Sequence, residues 1–426
     1  MWCAGGYWWL RRMVAPWARA IAGVASSAAE PSSVRRVTDM AVTSRFCLGA
    51  GIGRGGRAVN APAVAFSQGL PHCWAEGARR RPDKGGTETM RISRRHAVLA
   101  TGAAALAGLP RDGRAQALAE IRVSHQWRQQ TDARDRGARL FAEEVRKRAP
   151  ELRFRIYPNR SLISNPVAQY DAMLAGSLEM AVFPITYGVG KVPEFSIGIM
   201  PGTIKSVEQA MRIKGSAFHR RFQEIAMEGG IRIVTWWWTP GGFASRDRPI
   251  GGPETVQGLK MRAADPTFEL MLKEAGASVV SMPSTEIYPA MQSGVLNATL
   301  TSAETFVSMR IYEQTKYATI GGPNTLWMLL QPLVISTQAW NRLTPAQRQA
   351  FDEAADVADA WFAREQEEAA ANAAEAFRKA NNEVRGLTDA EYAAWVELAK
   401  RTAWAEFARS TRHGRELLDL LTQSLA

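Results

Sequence analysis

The sequence predicts an α/β fold of two lobes with one long helix spanning both. Three observations carry this. Strand-like and helix-like segments alternate from Ile121 to Thr301; they form two sets, each too small to stand alone; and an uninterrupted helical pattern begins at Thr344. The 426-residue chain is 46% hydrophobic, enough to bury a substantial core, so disorder throughout is excluded.

The first set opens with Ile121 and Val123 in a short strand ending near His125-Gln126-Trp127. Thr131 or Asp132 then caps a helix carrying Leu140, Phe141 and Val145 on one face. Leu152, Phe154 and Ile156 alternate with Arg153 and Arg155 as a half-buried strand closed by Tyr157-Pro158. Asn165-Pro166 opens a helix that Gly176 ends, and Leu178 to Pro184 is the next strand. Ser206-Val-Glu-Gln209 reads as a capping box for a helix running to about Glu228, followed by a strand from Ile231 to Trp238.

The second set repeats the pattern. Leu259 to Ala263 is strand, Asp265-Pro266 caps a helix to Gly276, and Val279-Val280 is strand. Ser284 opens a helix ending at Gly294, and Leu296 to Thr301 is strand. From Thr344-Pro345 the helical pattern continues to Arg385 with Gly386 as its stop; at ~1.5 Å per residue it reaches about 60 Å, beyond one small domain. Its Glu/Ala-rich middle, Glu365 to Glu375, could instead be a coiled-coil seam, but it lacks regular Leu/Ile heptads.

Charge divides the chain. The formal net charge is +12, yet residues 1–117 hold 17 Lys+Arg and 6 Asp+Glu, leaving 36 basic and 35 acidic groups beyond. All three cysteines, Cys3, Cys47 and Cys73, also fall early. Met90-Arg-Ile-Ser-Arg94-Arg95-His96, an apolar run from Ala97 to Leu109 and Ala115-Gln-Ala117 form a basic region, a short apolar region and a cleavage site, resembling a twin-arginine export signal. Residues 1–89 are then expected to be a non-native, disordered upstream extension. Gly51-Ile-Gly53-Arg-Gly-Gly56 within it fits a dinucleotide fingerprint by chance, since no strand precedes it.

Beyond residue 117 the chemistry of most enzymes is missing. Without cysteine there is no structural disulfide, thiolate zinc site or iron–sulfur cluster. The histidines His125, His219 and His413 have no metal-ligand spacing, and no nucleophile elbow or phosphate-binding loop occurs. Balanced charge argues against nucleic acid, and no run of 18 apolar residues spans a membrane. The expectation is an exported binding protein without cofactor or metal, not an enzyme.

Two motifs narrow this. Gly258-Leu-Lys-Met-Arg262 is followed by Glu286-Ile-Tyr-Pro-Ala-Met-Gln-Ser-Gly294-Val295, and in the same order stand Gly176-Ser-Leu-Glu-Met180, Pro193-Glu-Phe195 and Tyr312-Glu-Gln-Thr-Lys-Tyr317. In these the sequence resembles the solute-binding proteins of tripartite ATP-independent periplasmic (TRAP) transporters, over roughly residues 119–425. The resemblance implies a two-lobed periplasmic binding protein fold with crossover strands, lobe I at 118–241 with about 327–364 and lobe II at 242–326 with about 365–426. It also implies location in the periplasm, a small organic acid as ligand and the small and large membrane permease subunits as partners.

Arg262 is the expected carboxylate clamp. It ends a short strand, where open α/β sheets place ligands, and its planar fork matches a carboxylate; the alternative is an arginine paired with an acid such as Asp265. The family's further arginine falls at Gly242 or Phe243 here, and its Asn-Pro at Thr301-Ser302. A monocarboxylate, with hydroxyl donors from Thr301 or Ser302, is therefore expected. Trp236, Trp237 and Trp238 cannot all face one side, so one of them, Trp237, is a cleft candidate and the others core. Trp127, Tyr187 and Trp327 stand at strand ends or crossovers, open to stacking on the ligand. Gln126 and His125 are candidate hydrogen-bonding partners, and Glu304 is placed to neutralise Arg262 or to hold a cation or amine of the ligand. Two rival readings stay open: a receptor for an ATP-driven importer or sensor, and an exported enzyme acting on a carboxylate with Glu304 or His125 as base.

Overall fold

The computed structural model describes residues 120–426. The expected export signal, the upstream stretch and the Gly51–Gly56 match lie outside the described residues. Two sheets form two lobes. The first has the order β2-β1-β3-β11-β4, from Phe154–Tyr157, Ile121–Ser124, Met180–Val182, Leu333–Ser336 and Ile231–Ile233. β1 pairs parallel with β2 and β3, and the late strand β11 inserts antiparallel between β3 and β4.

The second sheet runs β12-β9-β5-β8-β6-β7, from Glu383–Arg385, Tyr317–Thr319, Trp238–Ser245, Ala298–Ser302, Lys260–Ala263 and Ser278–Ser281. β10 (Met328–Leu330) adds to β5. The chain crosses between sheets three times: from β4 to β5 through residues 234–237, from β10 to β11 through Gln331-Pro332, and from β11 to β12 along a long helix.

Helices cover both sheets. In the first lobe these are α1 (Ala133–Arg148), α2 (Ala168–Leu174), α3 (Val207–Arg212), α4 (Ala217–Glu228) and, just after β11, α8 (Thr337–Asn341). In the second they are α5 (Pro266–Glu274), α6 (Ile287–Gln292) and α7 (Ala303–Ser308). The expected single helix from Ser206 to Glu228 is two. Ser206 caps α3 as read, but Gly215 takes φ +84° and Ser216 caps α4 anew.

The long helix α9 (Pro345–Lys379) opens with a full capping box on Thr344 and Gln347. It ends six residues before the expected Arg385. Asn381 adopts a left-handed conformation, the Asn382 amide bonds the Tyr312 carbonyl, and the chain enters β12 beside β9. At 35 residues α9 is about 52 Å long. Ala354, Ala358 and Phe362 pack in the core of the first lobe, and Ala369, Ala373 and Phe377 in a core of the second. Its stripe is used within the chain, not as a coiled-coil seam. The terminal helices α10 (Asp389–Ala399), α11 (Ala405–Ser410) and α12 (Gly414–Leu425) complete the described residues. No helix among them is long and apolar enough to cross a membrane.

The β4–β5 crossover is anchored to α9. Asp359 accepts from the Trp236 backbone N–H at 2.9 Å and from Lys214 Nζ at 2.5 Å. His219 lies 4.4 Å from the Trp236 ring, and burial, with Lys214, Arg232 and Arg220 nearby, pulls its imidazole down to about 4. Folded His219 is thus neutral where the unfolded side chain charges. Its contribution to stability is whole above ~6.5 and is lost as pH falls towards 4. Melting curves of His219→Gln should therefore fall less between pH 7 and pH 5 than those of the parent; parallel curves would contradict a buried neutral imidazole.

Candidate functional site

Arg262 stands near the end of β6, between β7 and β8, with 2% of its surface exposed. Its Nε donates to the Met282 carbonyl at 2.9 Å and its Nη1 to the Leu300 carbonyl at 3.0 Å. Burial pushes its pKa down, against the opposing fields of Tyr187, Asp265 and Glu286. The expected alternative, an Arg262–Asp265 pair, is not what the carboxylate is used for. Asp265 caps α5, accepting from Phe268 N–H at 2.9 Å and Thr267 Oγ1 at 3.0 Å, and burial pushes its own pKa up. Arg262 is left as a desolvated cation bonded to carbonyl oxygens, an arrangement that favours an incoming anion.

The first lobe reaches this arginine through two strand ends. Tyr187, in a 3₁₀ turn after β3, faces the guanidinium. Its hydroxyl accepts from Ser284 N–H at 2.9 Å and contacts Ser284 Oγ at 3.3 Å. Gln126, just past β1, donates from Nε2 to the same Ser284 Oγ at 3.3 Å. Ser284 begins the turn after β7, so Tyr187 and Gln126 of the first lobe converge on one second-lobe hydroxyl. A groove of about 510 Å³ opens alongside, lined by Thr186, Tyr187, Asp265, Thr267, Met282 and Pro283 among others. Ser124 Oγ, Gln126 Oε1, Thr186 Oγ1 and Trp127 Nε1 are buried around these strand ends with no partner among the described residues. Buried polar atoms are normally bonded, so these four are open to further partners.

A second cluster lies at the end of β8. Arg134, in the first turn of α1, pairs with Asp132 and covers the Trp127 ring at 4.2 Å. Its Nη1 donates to Ser302 Oγ, Thr305 Oγ1 and Gln331 Oε1. Of the expected site residues, the structure thus gathers Arg262, Gln126 and Tyr187 at Ser284, and Trp127 and Ser302 at Arg134. Thr301 is buried on β8, opposite Gly242.

The remaining candidates sit elsewhere. Glu304 is on α7 facing Asp132, Arg134 and the Ala133 N–H, and accepts from Gln366 Nε2 at 3.3 Å. It is absent from the groups acting on Arg262, and burial followed by the Asp132 charge pushes its own pKa up. Trp237 stacks on Phe362 at 4.7 Å inside the first-lobe core. Trp327 meets Phe268 edge-on at 5.8 Å in the core. His125 donates from Nε2 to Asp135 Oδ1 at 3.1 Å. Although burial raises Asp135, His125 and Arg139 outweigh it and hold the carboxylate at about 2.

The two positions expected for a second arginine are both closed: a Cβ on Gly242 would lie 2.7 Å from the Thr319 carbonyl, and Phe243 is buried against the Trp395 ring at 5.5 Å. Sequence reasoning missed Ser284, Gln331, Asp132 and Arg134. Gln331 carried a signal, as the one polar side chain in the apolar run from Leu326 to Ile335.

Comparison with known proteins places this geometry. Bacterial extracellular solute-binding protein, family 7 (DctP) matches residues 123–410. A solute-binding protein of Albidiferax ferrireducens is 36% identical over 310 residues, covering 72% of this chain and 91% of that protein. A TRAP periplasmic solute-binding protein from Rhodoferax ferrireducens, crystallised with bound malonate, aligns with a TM-score of 0.70 at 35% identity, covering 72% of this chain and 98% of that one. The fold is shared by a TRAP protein of Pseudomonas aeruginosa with bound L-malate, at TM-score 0.62 and 19% identity over 68% of this chain and 99% of that one. By the extent of these matches, the chain belongs to the family 7 solute-binding proteins of TRAP transporters.

Proposed function

We propose that this protein is a periplasmic receptor, exported through the Arg94-Arg95 signal, that captures a small organic acid on Arg262 and hands it to the small and large TRAP permease subunits. Its lobes divide at the short crossings, residues 234–237 and Gln331-Pro332, a little outside the expected 242 and 327, and the ligand sits between them. The observation that carries the reading is the buried Arg262 guanidinium, bonded to two carbonyls and facing Tyr187, with no carboxylate bonded to it among the described residues. A carboxylate arriving there replaces water with two parallel charge-assisted hydrogen bonds.

The ligand class follows from charge. Arg134 is paired with Asp132, and β5 brings no further cation at Gly242 or Phe243. Arg262, bonded only to carbonyls, is then the one cation of the two clusters without a bonded carboxylate among the described residues, which suits a monocarboxylate with a hydroxyl or keto group better than a dianion. Calorimetric titration with pyruvate, lactate, malonate, succinate and L-malate tests this. Tighter binding of the monoacids is expected; tighter binding of a diacid would overturn the monoanion assignment, and no binding of any small acid, including acids co-purifying with the protein, would overturn the receptor reading.

A further inference from the structure

We infer that Arg134 is a positioning residue for the acid site, a latch that ties the end of β8 and the second crossover to the first lobe when the cleft closes. This deepens the receptor reading and rests on it. Asp132 takes Nε and Nη2 of Arg134 at 2.8 and 2.7 Å and also accepts its backbone N–H at 2.9 Å. The pair is self-contained and buried, with both side chains at 0% exposure. The bonds that reach outward are made by Nη1. Its acceptors are Thr305 Oγ1 at 3.0 Å, Ser302 Oγ at 3.4 Å and Gln331 Oε1 at 2.5 Å, none of them in the first-lobe segment that carries Arg134.

Ser302 and Thr305 are bonded to each other at 2.8 Å, so holding one holds both. Two residues back along β8, the Leu300 carbonyl receives Arg262 Nη1. Arg134 therefore acts on the clamp through β8, setting where the strand end stands without touching the ligand. Trp127 beneath the guanidinium fixes its plane, and a planar fork has no freedom to follow β8 away. Opening the cleft separates Nη1 from Ser302 and Thr305 and leaves it to water; closing remakes both bonds in a dry site.

Charge gives the latch its direction. Closure brings Glu304 of α7 against Asp132 and the Ala133 N–H, with Arg134 as the cation between the two carboxylates. Without that cation the two acids repel across the lobe boundary. Loss of Arg134 should loosen the closed state more than loss of the neutral acceptors does.

The test uses the full chain and malonate as probe, with hydrogen exchange and calorimetry on the parent, Arg134→Lys, Arg134→Gln and the charge-balanced double variant Asp132→Asn with Arg134→Gln. The expected result is faster exchange confined to peptides spanning 298–308 and 328–336, with the first sheet's β1–β3 peptides unchanged. Malonate affinity should fall at least tenfold in Arg134→Gln and less in Arg134→Lys, which keeps the charge but loses the fork. Unchanged exchange at 298–308 in a folded double variant overturns the latch, whatever malonate does. A parent that shows no malonate binding counts against malonate as a ligand, while the exchange comparison still decides Arg134. A uniform rise in exchange across both sheets would show a merely structural pair and also overturn the proposal.

Discussion

Replacing Arg262 with Ala should remove the thermal stabilisation that a bound acid confers and weaken its affinity by about 100-fold or more. The magnitude follows from what is lost. Truncating one partner of a desolvated, hydrogen-bonded charge pair costs about 2–5 kcal/mol, and ~2.7 kcal/mol already corresponds to 100-fold. The ligand-free protein should be little changed. Arg262 gives up two carbonyl bonds, at Met282 and Leu300, but the variant also sheds the cost of burying an uncompensated guanidinium. At ligand concentrations of 100 times Kd the parent gains ~2.7 kcal/mol by mass action, read as a rise in melting temperature. In Arg262→Ala that rise should vanish, while Arg262→Lys should keep a fraction, since an ammonium offers charge without the fork. A full thermal shift in the Ala variant would take Arg262 out of the site and leave the Ser284 cluster without its anion partner.

The same variant tests closure. Moving a two-state equilibrium from almost all open to almost all closed needs a differential affinity of ~5.5 kcal/mol. Arg262 is on the second lobe, and the hydroxyl that faces it, Tyr187, is on the first. An acid bonded to both would hold the closed form alone, so loss of Arg262 is expected to remove that difference along with the affinity.

How much of this was legible in sequence depends on range. The place of Arg262 near the end of a strand was readable because its signal is local: a short apolar strand after Gly258, its carboxyl end, and the Asp265-Pro266 helix start just beyond. Asp132 as an N-cap and the Thr344 box were readable for the same reason. β5 was not. Pro240, Gly241 and Gly242 argue against a strand by composition, yet antiparallel pairing with β8, β9 and β10 holds all eight residues in place. β9, β10 and β12 have three residues each, too few to show a period. The site's cross-lobe bonds are less legible still. Gln126 meets Ser284 across 158 residues and Arg134 meets Gln331 across 197, and nothing in either local pattern points to the other. The Trp236–Trp238 run shows the limit of alternation: all three are buried, because the crossover passes through core on every side.

Trp237 decides whether that crossover belongs to the core or to the ligand. Trp237→Ala should lower stability by about 3–5 kcal/mol, the range for emptying a large buried aromatic site. The ring is 0% exposed, stacks on Phe362 at an interplanar angle of 12°, and lies so close to Gly137 that a Cβ there would be 2.8 Å from it. The surroundings cannot collapse into the gap, because α9 carries Phe362 and is braced along both lobes. The low end of the range is favoured, since the indole N–H has no partner among the described residues and its removal relieves a desolvated donor. For roughly 300 folded residues, with about 2 °C of melting temperature per kcal/mol, a drop of about 6–10 °C is expected. Trp237→Phe keeps the stack and discards the orphaned N–H, so it should melt within about 2 °C of the parent. Acid affinity in the Phe variant then separates the two roles: an unchanged Kd for the preferred acid puts Trp237 in the core as a brace of the β4–β5 crossover, whereas a tenfold loss in a protein of parental stability would mean that its N–H bonds the ligand.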